Sequence, residues 1–210
     1  MNENSKDDQS EEGGLLYRAI KFIFVLLFSL LYRVRIYGRE NIPEKGGFLV
    51  CANNIHRFDP GLIMIAMGRK HRVYFMAREE LFKIPLFNFL IRKLSSIPVK
   101  RKKLDRQAVD EALFWVRKGK AVGIFPEGSR NKRSYLLKPF DNQSMIALKS
   151  KAPVLPVAIK GPYKIFRPLE IVIGEPVIFE NEKEEKKYKR EKVRKTNAVI
   201  MESIDCLLKS

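Results

Sequence analysis

The stretch DRQAVDEALFWVRKGKAVGIFPEGSRNKR, residues 105–133, decides the class of fold. Asp105 is placed to cap a helix, and Val109, Ala112, Leu113 and Val116 recur at helical spacing as one buried stripe. Gly119 then closes the helix, because glycine adopts the left-handed conformation that ends one. AVGIF (121–125) follows at once, an apolar run of strand length that stops at Pro126 in a polar turn. Helix, short loop, buried strand and polar turn together make one unit of an α/β protein.

Outward from this unit the same alternation continues. Strand-like runs are VRIYG (34–38), GFLVCA (47–52), RVYFMA (72–77), SIPV (96–99), PVLPVAI (153–159) and LEIVIG (169–174), with helix-like stretches between several of them. The pattern predicts a mixed, mostly parallel sheet flanked by helices. Pro156 implies an edge or irregular position for its strand, since proline lacks the N–H of a ladder. Beyond about residue 180 a highly charged linker runs into a helix whose expected apolar face is Ala198, Met201, Ile204 and Leu207 or Leu208. The chain thus divides into an acidic, disordered tail (1–13), an apolar helix (14–33), an α/β domain (34–180), and a charged linker with a C-terminal helix (181–210).

Charge narrows the partners. The 210 residues carry a formal net charge of +17, although Glu3, Asp7, Asp8, Glu11 and Glu12 face only Lys6 in the tail, so the folded part is more basic still. That excess calls for an anionic partner: nucleic acid, an acidic lipid surface or a phosphorylated substrate. Finger spacing, an RNA-recognition aromatic motif and a basic zipper are all missing, so nucleic acid is not expected. Cys51 and Cys206 are too few for a disulfide framework and read as reduced thiols of a cytoplasmic protein, although one bridge could join them.

The helix LLYRAIKFIFVLLFSLLYRVR supports the lipid reading. Its uncharged run from Phe22 to Tyr32 would span roughly 17 Å at about 1.5 Å per residue, whereas a bilayer core needs about 20 residues. Arg18, Lys21, Ser29 and Tyr32 fall in one polar stripe, the rest being Leu, Ile and Phe. This suits a helix lying in the membrane interface with its bases reaching headgroups; a short span and an ordinary core helix are the alternatives. No small-residue cleavage site follows, which argues against a secretory signal peptide.

Four segments carry chemistry, in fixed order. ANNIHRFDPGLI (52–63) is a polar turn between strand and helix, with Asp59-Pro60 placed to start the helix and Asp59 readable as its N-cap. AREELFKIPLFNFLIRKLSSIPVKRKK (77–103) is an apolar helix interrupted by bases, ending in a strand and the cluster Lys100-Arg101-Lys102-Lys103, which reads as a solvated surface or a phosphate site. GIFPEGSRNKR (123–133) sets Glu127, Gly128 and Arg130 on a tight turn: glycine permits close backbone approach and arginine offers a planar fork for an oxyanion. PVLPVAIKG (153–161) is a buried strand.

Together these segments resemble the 1-acylglycerol-3-phosphate acyltransferase (PlsC-like) family, over roughly residues 15–180. The resemblance implies the glycerolipid acyltransferase fold, an acyltransferase domain at 34–180, and transfer of an acyl chain from a thioester of acyl carrier protein or coenzyme A to the free hydroxyl of lysophosphatidic acid, giving phosphatidic acid. It implies no metal and no cofactor beyond that thioester co-substrate. It also implies peripheral or monotopic attachment to an anionic membrane surface, at the cytoplasmic face.

Position by position, the family's first motif is a histidine with an aspartate after four intervening residues, usually preceded by Asn. The imidazole accepts the hydroxyl proton and the carboxylate orients it. Asn53 matches the preceding Asn and Asp59 the aspartate, but the histidine position holds Asn54, whose amide cannot accept a proton near neutral pH. His56, two residues on, replaces it only if the turn's geometry allows; otherwise the site is impaired, or works by another arrangement. The resemblance assigns the substrate phosphate to Arg101 and Arg130, with Arg78 where relatives often carry lysine. Glu127 and Gly128 match the third motif, Glu127 as an organiser of the pocket. Two departures remain: Ser95 replaces a common glycine, and Asn142 replaces another, a mild change if the backbone there has positive φ. A non-catalytic lipid- or phosphate-binding relative is the competing reading.

Overall fold

The computed structural model describes residues 18, 19, 22, 23, 25, 26, 28, 30–68, 70–83, 96–100, 105–133, 135–179 and 190–210. The acidic tail, Lys21, Ser29, most of the second motif including Ser95 and Arg101, and the linker 181–189 lie outside these.

Seven strands form one sheet: β1 (Arg33–Tyr37), β2 (Phe48–Ala52), β3 (Val73–Arg78), β4 (Ser96–Val99), β5 (Ala121–Ile124), β6 (Val154–Lys160) and β7 (Pro168–Ile173). Their spatial order is β1-β7-β6-β2-β5-β3-β4. The five strands β6, β2, β5, β3 and β4 run parallel. β7 returns antiparallel to β6, and β1 runs parallel to β7. The sheet is therefore mixed and mostly parallel, as the alternation predicts. Its direction has a consequence for the site: the starts of β1 and β7 lie at the same edge as the C-terminal ends of the other five.

Alternation along β2 shows how both faces are buried. Phe48, Val50 and Ala52 point into one core with Leu62, Ile63 and Met64 of α1 (Asp59–Ala66). Leu49 and Cys51 point into the other, against α2 (Arg106–Arg117), α3 (Asn142–Ser150) and α4 (Arg190–Lys209). Such two-sided burial is what a strand read as a continuous apolar run should have. Asp105 caps α2 by accepting from Ala108 N–H at 3.3 Å, and Val109, Ala112, Leu113 and Val116 are buried as expected. Both cysteines are free thiols; burial pushes the Cys51 thiol up to about 12, which makes it inert as a nucleophile.

Three expectations need correction. Pro156 is not at an edge: β6 is paired on both sides, with Pro156 opposite Cys51 of β2. Its missing N–H faces the last rung of β7, where Gly174 N–H still donates to Pro156 O at 2.9 Å, so a single rung is lost where the strand ends. Ala198 is exposed; of the expected face Ile204 is buried and Met201, Leu207 and Leu208 are half-buried, and α4 also buries Val193, Thr196, Asn197 and Ile200. Asn197 decides this face: its amide joins Asp141 at 2.9 Å and Gln143 at 2.7 Å, and accepts from Ser144. A buried polar anchor outweighs a count of apolar residues, because leaving it unsatisfied costs more than exposing an alanine methyl. Asn142 does not occupy a positive-φ position; it opens α3, and its Oδ1 accepts from Asp105 N–H at 3.2 Å.

At the N-terminal end, the described residues between 18 and 31 are helical. Phe28 is buried in the core, while Phe22, Ile23, Leu26 and Leu30 are exposed. Among the described residues no helix is long and apolar enough to cross a membrane.

Candidate active site

Ligands of open α/β sheets sit beyond the C-terminal ends of parallel strands, where the chain's direction of travel across the sheet reverses. Here that point is β2: the chain leaves it through α1 toward β3 and later crosses to β6 on its other side. The loops after β2 and β5, the end of β3 and the start of α1 meet at this edge and carry Asn54, His56, Asp59, Arg78, Glu127, Gly128 and Arg130. The structure thus gathers these predicted residues at one edge of the sheet; Arg101 lies outside the described residues.

The loop after β2 is built around two buried side chains. Asn53 continues the ladder with its carboxamide, donating to Ile159 O at 3.0 Å and accepting from Ile159 N–H at 2.7 Å. Asp59 does not act as a forward N-cap; it is the first residue of α1, and its carboxylate turns back into the loop. Oδ2 accepts from the N–H groups of Ile55 at 2.6 Å and His56 at 2.7 Å, and Oδ1 accepts from the Tyr163 hydroxyl. Burial pushes this carboxyl above its usual range while the three hydrogen bonds pull the other way. The same contact and burial hold the Tyr163 phenol well above its ordinary value, so it stays a donor.

His56 stacks on Tyr163, with ring centroids 4.0 Å apart and planes 25° apart, and meets Phe58 edge-on at 5.0 Å. Its Nδ1 is enclosed without a hydrogen-bond partner. Desolvation, then the positive charges of Arg57, Arg130 and Lys132, hold its pKa below the usual 6.5, so the imidazole is neutral at pH 7. Asn54 is half-buried, and its carbonyl accepts from Asn131 N–H at 2.6 Å, tying this loop to the next one.

The loop after β5 folds on itself. Glu127 is buried, and its Oε2 accepts from Asn131 Nδ2 at 2.6 Å and Leu137 N–H at 2.8 Å. Asn131 also donates to Tyr135 O at 2.7 Å and accepts from Arg133 N–H at 2.9 Å. Gly128 has φ +61°, and a Cβ there would lie 2.3 Å from the Phe140 ring, so no other residue fits without displacing it. Arg78 reaches across from β3 and donates to Gly128 O through Nη2 at 2.9 Å and Nε at 3.3 Å.

Between the two loops lies a cavity of about 560 Å³, lined by Ile55, His56, Arg57, Arg130, Asn131, Lys132, Arg133 and Leu137. Four basic side chains and one neutral imidazole therefore line a single space. Chemically, it can hold a phosphate through charge-assisted bonds and offer a proton acceptor beside it. No cluster of three His, Cys, Asp or Glu able to hold a metal occurs among the described residues.

A family model described as Acyltransferase matches residues 33–160 of this sequence. The chain belongs to the acyltransferase family. This acyltransferase is similar to the 1-acyl-sn-glycerol-3-phosphate acyltransferase of Bacillus subtilis, with 27% identity over 168 residues, 77% of this chain and 82% of the relative. Against the enzyme of the same name from Borreliella burgdorferi it is 30% identical over 137 residues, 64% of this chain and 54% of the relative. The crystal structure of the 1-acyl-sn-glycerophosphate (LPA) acyltransferase PlsC from Thermotoga maritima superimposes with a TM-score of 0.68 at 29% identity, covering 99% of this chain and 83% of that one. The acyltransferase fold read from the motifs is thereby established.

Arg57, Lys132 and Arg133 join the site from within the first and third motifs, where their mixed spacing carries no signal of facing. Tyr163 carried no signal. It lies two residues beyond the fourth motif, and only the fold brings it to Asp59.

Proposed function

We propose that this acyltransferase moves a fatty acyl chain from a thioester donor, acyl carrier protein or acyl-coenzyme A, to the free hydroxyl of lysophosphatidic acid at an anionic membrane surface, with His56 doing the work that Asn54 cannot. The reading rests on one observation above all: a neutral histidine and four cations line a single cavity at the strand ends. Arg130, with Arg57, Lys132 and Arg133, would hold the acceptor's phosphate. Arg78 and Glu127 would set the shape of the loop that presents them, and Arg101 would add a further cation. His56 would take the hydroxyl proton as that oxygen bonds to the thioester carbon. The carbon–sulfur bond then breaks, and the proton passes to the departing thiolate. Asp59 and Tyr163 would act by holding the histidine's backbone and ring, since no hydrogen bond joins the carboxylate to the imidazole. The family resemblance supports the substrate class, and the relatives' names agree with it.

A second reading, a lipid- or phosphate-binding protein without catalysis, is favoured by that same missing carboxylate–imidazole bond. Acyl transfer from a thioester to lysophosphatidic acid, measured for the unsubstituted chain, His56→Ala and Asn54→His, separates the two. The first reading expects turnover in the unsubstituted chain and a loss of about 10²–10⁴ in kcat for His56→Ala. An unsubstituted chain without turnover that gains it on Asn54→His would establish the second.

A further inference from the structure

The loop joining β6 to β7, residues 161–167 with the sequence GPYKIFR, faces two ways. Inward, Tyr163 holds Asp59 and stacks on His56. Outward, Ile165 is 56% and Phe166 71% exposed, the latter among the most exposed large apolar side chains described. Phe166 is the third residue of a β-turn closed by Arg167 N–H on Lys164 O at 3.0 Å, and it has φ +64°. That backbone conformation suits glycine and is strained for a bulky residue, so it persists only where other contacts impose it. One such contact is Phe166 N–H donating to Leu31 O at 2.8 Å, which fastens the turn to the end of the N-terminal helical segment.

That junction makes one surface of two separate stretches of chain. The segment exposes Phe22 and Leu30, each 65% accessible, with Ile23 and Leu26 between them. Exposed bases surround the junction: Lys164 and Arg167 on the turn, and Arg33 in register with Pro168 at the start of β7. Because β1 and β7 run against the other strands, this surface lies at the edge of the sheet that carries the cavity. Beneath it, rings form a continuous chain from the core under the helical segment to the site: buried Phe28 stacks on Tyr32 at 5.1 Å, Tyr32 meets Tyr163 at 6.0 Å, and Tyr163 stacks on His56. Apolar side chains ringed by cations match a bilayer of anionic lipid, which offers hydrocarbon beneath a negative surface.

We propose that the turn Lys164–Arg167 is a lipid-inserting element that drives Ile165 and Phe166 into an anionic bilayer beside the N-terminal helix and so seats the cavity against the membrane. The proposal rests on the membrane-surface part of the function proposed above and not on acyl transfer. Its test uses the full chain carrying Phe166→Trp and vesicles of mixed phosphatidylcholine and phosphatidylglycerol. The introduced indole should shift to the blue and be quenched by brominated acyl chains, against the constant background of buried Trp115. A chain that co-sediments with vesicles while this indole keeps its aqueous emission overturns the role of the turn alone. A chain that does not co-sediment overturns the membrane reading as well. A second variant, Ile165→Ser with Phe166→Gly, guards against misfolding, since glycine relieves the positive φ. It should melt no lower than the parent and keep its rate on detergent-dispersed substrate. Its vesicle affinity should fall about a hundredfold or more, and unchanged affinity would overturn the proposal.

Discussion

Two loops face each other across the cavity, and they are built on opposite plans. The loop after β5 is closed by its own residues: Glu127, Asn131, Tyr135 and Leu137 bind one another within a span of ten positions. The loop after β2 is closed partly by Asp59 on Ile55 and His56 N–H, and partly from afar. Asn53 is held by Ile159, 106 residues away, and Asp59 by Tyr163, 104 residues away. The first arrangement presents cations on a turn held mainly by its own residues, with Arg78 on Gly128 O as its tie to β3. The second places a histidine whose position depends on the β6–β7 connection, which the N-terminal segment also touches. Binding charge is local in this molecule, and the proton acceptor is a product of the whole fold.

The sharpest way to break this comparison is to remove the proton acceptor. Beyond the loss of kcat in His56→Ala, the unsubstituted chain should show an acid limb in its pH–rate profile. Neutral imidazole is the working form, so the rate should be level near neutrality and fall as pH drops through a value below 6.5. In His56→Ala the limb should vanish together with the rate; a limb that survives assigns it to another group. Next in size is Arg130→Ala, which removes one charged contact to the phosphate at a cost of about 1.5–3 kcal/mol, or roughly 10–100-fold in kcat/KM. Because a local turn presents this charge, the loss should appear mainly in KM, and the melting temperature should hold. A fall confined to kcat would place Arg130 at the reacting carbon instead.

That local–distant division also explains what could be read in advance. The strands and α2 were legible within a residue or so, because periodicity and the Asp105 and Gly119 boundaries are short-range signals. The tight turn at Glu127, Gly128 and Arg130 was legible for the same reason: it is written in adjacent residues. The N-terminal half of the buried face of α4 was not, since Asn197 takes its orientation from three residues at the start of α3, more than fifty positions away. Nor was the interior place of Pro156, which depends on where β7 ends. His56 could be named but not placed, because its ring follows Tyr163, and nothing near Asp59 in sequence announces a tyrosine beyond the fourth motif.

Smaller effects test the two plans through stability. Glu127→Ala strips an acceptor from Asn131 and from Leu137 N–H, and should cost about 2–3 kcal/mol in denaturant unfolding, with the loop after β5 losing protection in hydrogen exchange. If the loop after β2 lost protection equally, the two would be one cooperative unit, coupled through Asn131 N–H on Asn54 O.

Tyr163→Phe is the gentlest change and the most diagnostic of the distant plan. It should cost about 1.5 kcal/mol at neutral pH, because Asp59 loses one of three donors to its carboxylate. The sign of its pH dependence follows from the direction of the Asp59 shift. The folded carboxyl already titrates above the unfolded value of 3.8, so the native state binds the proton more tightly. Asp59 therefore favours folding less as pH rises from 3.8 through its raised folded value. Removing the hydroxyl raises that value further and extends the loss to higher pH. The stability gap between Tyr163→Phe and the parent should thus be widest at neutrality and narrow in acid, where a protonated carboxyl has less need of the donor. The absence of a gap at every pH would mean that Tyr163 supports the loop by ring packing on His56 alone, because phenylalanine keeps the ring.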